Sequence, residues 1–289
     1  MERELWRSLY LLARKLGNPQ GSWRYSTAEV LGVYFWAVVH DRPTSWATDP
    51  REWPPDLQPV WLPSQSTMSR RLRKPETVEL LTAVEQQLVV LLALGRYLVH
   101  IVDGKALAVS AVSKDRDTGY GRGAGASQKG YKLHAIWSGG PIPVAWALAP
   151  MNASEKTMAR HLIPTLLGGG YLLGDVQYDV GYLYELATEA GFQLVAKKTK
   201  GQGLGHRRQP AGRLRSIELL QTEFGRALYQ QRNAIECRFG TLTSTGGGLG
   251  PLPTWVRHFN RVRNWVQAKI IASGVRWLLL HEPNKLALA

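Results

Sequence analysis

The feature that most constrains this chain is a change of pattern at Gly95. Before it, apolar residues recur every three or four positions; after it, they gather into short runs, two of which close on an aspartate. Leu5, Leu9, Leu12 and Leu16 mark one face of a helix that Gly17 stops. Ser26 with Glu29 three residues on has the form of a capping box, opening a second helix that ends before Pro43. Residues 64–73 predict a short helix with small polar residues at its start and arginines toward its end, and residues 77–94 a long helix with one apolar face. The expectation is a helical domain over residues 1–95.

Beyond Gly95 the runs at 97–102, 131–137, 142–148, 171–175 and 192–197 have the β-branched and aromatic content of strands. Helical spacing returns at 154–167 and 180–190. Three strands, a helix, a strand, a helix, a strand and then further helices predict an α/β domain, a mixed sheet flanked by helices, over residues 96–289.

Charge narrows the partners. The chain of 289 residues carries a formal net charge of +14, an excess that suits a polyanion. It is unevenly spread: residues 1–100 hold 12 basic and 10 acidic side chains, a net of +2, whereas residues 197–276 hold 15 and 3, a net of +12. A short basic insertion at about 197–216, with Lys197, Lys198 and Lys200 at its head, therefore predicts where a nucleic acid lies. Arg70, Arg71 and Arg73 on the short helix form a second basic group. The single cysteine, Cys237, can form no internal disulfide and no zinc site by itself. That pattern and the lack of a long apolar run predict a cytoplasmic protein with no membrane partner.

The acids at strand ends carry the chemistry. Asp103 and Asp175 each close an apolar run, and strand ends of open sheets are where ligands are met. Tyr229, Arg232 and Glu236 are spaced by three and four residues, so one helix would project all three from one face. Carboxylates with substrate phosphate oxygens can complete two Mg²⁺ or Mn²⁺ sites, and such chemistry needs no organic cofactor. Each element also has an ordinary reading: Asp103 before Gly104 as a turn, Arg232 and Glu236 as a solvated pair, residues 197–215 as a loop. Asp179 competes with Asp175; the latter is preferred because it terminates the strand while Asp179 sits where a helix cap would be.

Three blocks in order, Val102-Asp103-Gly104-Lys105, Asp175 to Asp179, and Tyr229-x-x-Arg232-x-x-x-Glu236-x-x-Phe239, resemble the insertion-sequence DDE transposases of the Tyr-Arg-Glu-Lys group. Residues 129–134 look like that family's second strand, and residues 66–70 like its amino-terminal helix-turn-helix. The family's lysine, seven residues beyond the glutamate, falls on Thr243. The resemblance implies a ribonuclease H-like core and a catalytic triad of Asp103, Asp175 and Glu236 on two divalent cations. It implies DNA contacts by Tyr229 and Arg232, double-stranded DNA as partner and substrate, and a homodimer in a synaptic complex. A nuclease on the same core, or a non-catalytic DNA-binding protein or repressor, is the alternative.

Overall fold

The computed structural model describes residues 1–18, 24–123, 125–199, 209–244 and 248–288. It divides into two compact units, Met1–Leu92 with Leu242–Ala289, and Ala93–Thr241.

The first unit is helical. It contains α1 (Glu2–Leu16), α2 (Thr27–Val39), α3 (Thr44–Ala47), α4 (Gln65–Arg71) and α5 (Pro75–Leu91). The Ser26 side chain accepts from the Glu29 amide while the Glu29 carboxylate accepts from the Ser26 amide, so the expected capping box forms. α2 buries eleven of its thirteen residues, which makes it the central helix of the unit. Ser64 caps α4, and Pro75 takes the first turn of α5, where its missing N–H costs nothing.

Residues 242–289, which sequence alone assigns to the domain beginning at 96, pack within this first unit. The long helix there (Phe259–His281) is buried over most of its length. Its polar side chains are tied to the amino-terminal helices: Asn264 donates to the Leu72 carbonyl at 3.0 Å, Gln267 to Glu85 at 2.7 Å, and Lys269 to Asp41 at 2.5 Å. A helix that buries polar side chains among its apolar ones needs a partner for each of them. Among the described residues no helix is long and apolar enough to cross a membrane.

The second unit is built on a six-stranded sheet: β1 (Val99–Ala108), β2 (Gly119–Arg122), β3 (Ser127–Trp137), β4 (Ala145–Pro150), β5 (Gly170–Leu173) and β6 (Phe192–Val195). The order is β2-β3-β1-β5-β6, with β4 also on β3. β1 and β3 are antiparallel from Ile101↔Trp137 to Ala108↔Gly130, whereas β5 and β6 run parallel to β1 and to each other. Helices α6 (Glu155–Leu162) and α7 (Gly181–Glu189) cover one face, where Val102, Ile136, Leu172 and Leu194 meet Ala159, Leu162, Leu183 and Tyr184. The chain continues through α8 (Ala211–Gln221), α9 (Glu223–Gln230) and α10 (Ala234–Ser244), α10 carrying it out of this unit. The remaining helices of the first unit are α11 (Phe259–His281) and α12 (Pro283–Leu288).

Two elements depart from the expectations. β1 does not stop at Asp103 but runs five residues further, because β3 pairs with it along that whole length. Strand β2 lies in a glycine-containing stretch that carries no strand signature; it is held through its pairing with β3 from Gly119↔Gly130 to Arg122↔Ser127.

Candidate active site

The sheet places the two aspartates side by side. β1 and β5 are in parallel register at Val99↔Tyr171, His100↔Leu172 and Ile101↔Leu173; continuing that register by two positions sets Asp103 level with Asp175. β5 ends at Leu173, so the chain turns away there while β1 goes on with β3. Both carboxylates thus sit where two parallel strands part. Each accepts a short local bond, Asp103 from the Gly104 amide and Asp175 from the Gln177 amide, both at 2.7 Å, and the Tyr178 amide also bonds Asp175. Asp175 in this way caps a short 3-10 turn over Val176–Tyr178.

Among the described residues, the Arg232 charge acts on both carboxylates without offsetting their burial. Burial pushes the Asp103 carboxyl up to about 6; the Gly104 amide opposes the rise, the negative charges of Glu155 and Asp175 add to it, and Arg232 opposes it again. Asp175 is also raised, first by burial, with Gln177 opposing, Glu155 raising and Arg232 lowering. The buried Tyr178 phenol is raised well above its usual value by burial and then by Glu155, Asp103 and Asp175. Carboxylate oxygens are the donors a hard divalent cation requires, and a bound cation's charge would reverse the direction of these shifts.

Asp179 is occupied elsewhere. Its carboxylate accepts from Arg213 Nε and Nη2, both at 2.7 Å, from the Thr199 amide at 3.2 Å and from the Tyr184 hydroxyl at 3.2 Å. Burial works to raise it, but the Arg213 and Thr199 bonds win and hold it below the usual carboxylate range. With its lone pairs taken, it is a structural anchor for α7 and α8.

The Tyr229, Arg232 and Glu236 set does not lie on one uninterrupted helix. Tyr229 is in the last turn of α9, Arg232 in a 3-10 turn over Gln231–Asn233, and Glu236 in the first turn of α10. A 3-10 turn advances about 20° more per residue than an α-helix, so three such residues rotate α10 by about 60° relative to a continuous helix. Tyr229 and Arg232 are half-buried, and Glu236 is exposed. The Tyr229 hydroxyl donates to the Gly174 carbonyl at 3.1 Å, next to Asp175, and Arg232 and Lys197 lie 6.0 and 5.2 Å from the Tyr229 ring centroid. The Arg232 Nε is buried with no hydrogen-bond partner among the described residues, an unsatisfied donor of the kind that calls for a partner.

The remaining basic residues separate. Lys197 and Lys198 are exposed, whereas Lys200 lies outside the described residues. Arg70 and Arg73 are exposed on and just beyond α4, Arg73 donating back to the Ser69 carbonyl at 2.8 Å. Arg71 departs from the expected DNA contact: it is only 6% exposed and its guanidinium donates to the Tyr25 carbonyl at 2.9 Å and the Thr27 hydroxyl at 3.2 Å. A guanidinium so engaged ties α4 to the start of α2 and has no free face for a phosphate.

Sequence reasoning passed over Glu155 and Lys132. Glu155 opens α6, and its Oε1 accepts from Lys132 Nζ at 3.0 Å. An acid in the first turn of a helix is common for reasons of the helix dipole alone, so its spacing gives no sign of this position.

No curated protein and no solved structure compared with the chain gives a match. The transposase DDE domain family matches residues 95–273, well over half of the chain, and covers β1, β5 and the Arg232 turn. That family implies use of a divalent cation and action on DNA. With its mixed, helix-flanked ribonuclease H-like sheet and its paired strand aspartates, the chain belongs to the transposase DDE domain family, the DDE transposases of insertion sequences.

Proposed function

We propose that the protein binds the terminal inverted repeats of its insertion sequence, cleaves a strand there and transfers the freed 3′-hydroxyl to target DNA. The observation that carries this reading is the level placement of Asp103 and Asp175 at parting strands, both within reach of the Arg232 charge. Asp103, Asp175 and Glu236 would hold two Mg²⁺ or Mn²⁺ ions. Bound divalent ions lower the pKa of the attacking hydroxyl and stabilise the leaving oxygen.

The chain's own residues do the rest. Arg232 orients the scissile phosphate through its free Nε–H. Tyr229, anchored on the Gly174 carbonyl, fixes the loop that carries Asp175. Lys197, Lys198 and Lys200 neutralise phosphates along the DNA, while Arg70 and Arg73 contribute to recognition of the end. Synapsis of two ends calls for a homodimer.

Incubation with Mg²⁺ and a DNA carrying one element end tests the reading. Joined products support it; nicks without joining would reduce it to a nuclease. A shifted complex with no new ends, indifferent to metal, would make the protein a DNA-binding repressor.

A further inference from the structure

Residues 242–289 fold with the amino-terminal helices, and where these two stretches meet they line a cavity of about 260 Å³. α2 gives it Tyr34, α4 and the residues just beyond give Ser69 and Arg73, and the start of α11 gives Arg261 and Trp265, with the exposed Trp255 ahead of that helix. Two guanidinium groups converge there on one neutral oxygen: Arg73 Nη2 lies 3.5 Å and Arg261 Nη2 3.4 Å from the Ser69 Oγ. Both arginines are exposed, and among the described residues neither forms an ion pair and no acidic side chain lines the cavity. The first turn of α11, where the helix dipole favours an anion, lines it too. Two buried polar tips on its wall are also unpartnered. Tyr34 is 5% and Trp265 3% exposed, and among the described residues neither the Tyr34 hydroxyl nor the Trp265 Nε1 has a hydrogen-bond partner, a rare state for buried polar groups.

We propose that this cavity seats one backbone phosphate of the bound DNA, gripped by Arg73 and Arg261 together and completed by the Tyr34 hydroxyl. An ordinary helix-end contact accounts for Arg73, whose Nε also donates to the Ser69 carbonyl at 2.8 Å. It does not account for a second guanidinium brought to the same hydroxyl with no carboxylate between them. Like charges so placed repel, and an anion that reaches both relieves the repulsion and accepts charge-assisted hydrogen bonds from each. DNA is the source of that phosphate, because Arg70 is exposed on the same short helix and the chain carries a net charge of +14. The cavity is smaller than the about 300–1,000 Å³ of a site for a whole small molecule, which suits one group of a larger ligand. The proposal rests on the reading of the protein as one that binds DNA, and adds that α11, far along the chain from α4, supplies half of the grip.

The test is binding of a labelled random-sequence duplex by the full chain in EDTA, measured by fluorescence anisotropy across a salt series, with circular dichroism as the check on folding. The double variant Arg73→Ala with Arg261→Ala should bind about tenfold more weakly or worse. Its salt slope should be shallower by about 0.9, the value for one phosphate, and not by the roughly 1.8 of two separate contacts. Tyr34→Phe should weaken binding up to about tenfold while melting no lower than the parent, since the hydroxyl it removes has no partner among the described residues. Parent-like slope and affinity in the folded double variant would overturn the proposal. A slope shallower by about 1.8 would also overturn it, making the arginines two independent surface contacts. Parent-like affinity in folded Tyr34→Phe would overturn the seat in the cavity. If inorganic phosphate at matched ionic strength raised the melting temperature of the parent but not of the double variant, while both bound DNA alike, the site would belong to a small phosphate compound and the proposal would fall. A parent that binds no duplex would instead bring down the DNA-binding reading beneath it.

Discussion

Four residues apart in the chain, Asp175 and Asp179 occupy opposite electrostatic situations. Asp179 accepts both arms of Arg213, a backbone amide and a tyrosine hydroxyl, and its side chain is 2% exposed. Asp175 accepts the Gln177 amide and is pressed by the charge of Glu155. The Arg232 Nε has no hydrogen-bond partner among the described residues. A carboxylate whose lone pairs are taken inside the protein has little to offer a ligand, whereas one left among like charges gains from any cation that arrives. The catalytic place proposed for Asp175 and the architectural one of Asp179 thus differ in the partners each side chain already has.

The largest expected effect separates the two directly. Asp175→Asn should lower strand cleavage about 10⁴-fold or more, because several kcal/mol of charge stabilisation depend on that carboxylate. Its melting temperature in EDTA should not fall, since a like charge has been removed. Asp179 answers in the other observable. Arg213→Ala strands a buried carboxylate and should cost about 3–5 kcal/mol of stability, measured by denaturant unfolding. If Asp179→Asn abolished cleavage while melting as the parent does, the comparison would collapse.

Why one aspartate was readable and its surroundings were not is a matter of range. A run of apolar residues closing on an acid is a local pattern, so Asp103 and Asp175 can be picked out from the chain alone, and the Ser26 capping box likewise. The end of β1 was not legible, because the strand is prolonged by β3, a partner some 25 residues away. The turn at Gln231–Asn233 leaves no mark in the 3.6-residue period, yet it interrupts the helix between Tyr229 and Glu236. Arg71 sits among arginines of the same appearance and only tertiary packing turns it inward. Glu155 is hidden for the same reason: its meeting with Gly104 is made by the sheet.

Acid–base behaviour sharpens the contrast by sign. Asp103 titrates at about 6 in the fold against an ordinary 3.8, so its contribution is fully present below the lower value and is lost as pH rises through the higher one. Metal-stripped protein should therefore lose roughly 2 kcal/mol between about pH 4 and pH 7 from this group. Asp103→Asn should flatten that limb and be the more stable form at neutral pH. Asp179, held below its ordinary value, works in the opposite sense: its stabilisation is present above that value and disappears as pH falls through the acid range. Calorimetric melting from pH 3 to pH 8 in EDTA checks both limbs. A parent and an Asp103→Asn variant with identical profiles would show that Asp103 is solvated as an ordinary surface acid.

The smallest effect on the protein itself, yet a clear one on DNA, is expected where the charge lies at the surface. Arg213 lies beneath the surface and is taken up by Asp179, so replacing it should act on folding. Lys197 and Lys198 are exposed, and Lys197 approaches the Tyr229 ring beside the Asp175 loop. Solvated lysines contribute little to stability, so changing Lys197, Lys198 and Lys200 together to alanine should shift unfolding by less than about 1 kcal/mol. Each phosphate such a lysine neutralises releases counterion, and the logarithm of affinity falls with the logarithm of salt at a slope of about −0.9 per contact. The triple variant should therefore show a slope shallower by roughly 3, with similar weakening on element ends and on random DNA, because phosphates carry no base information. Filter binding across a salt series on both DNAs measures this. A slope equal to the parent's would place the DNA away from these lysines, with the exposed Arg257 and Arg261 as the next group to replace.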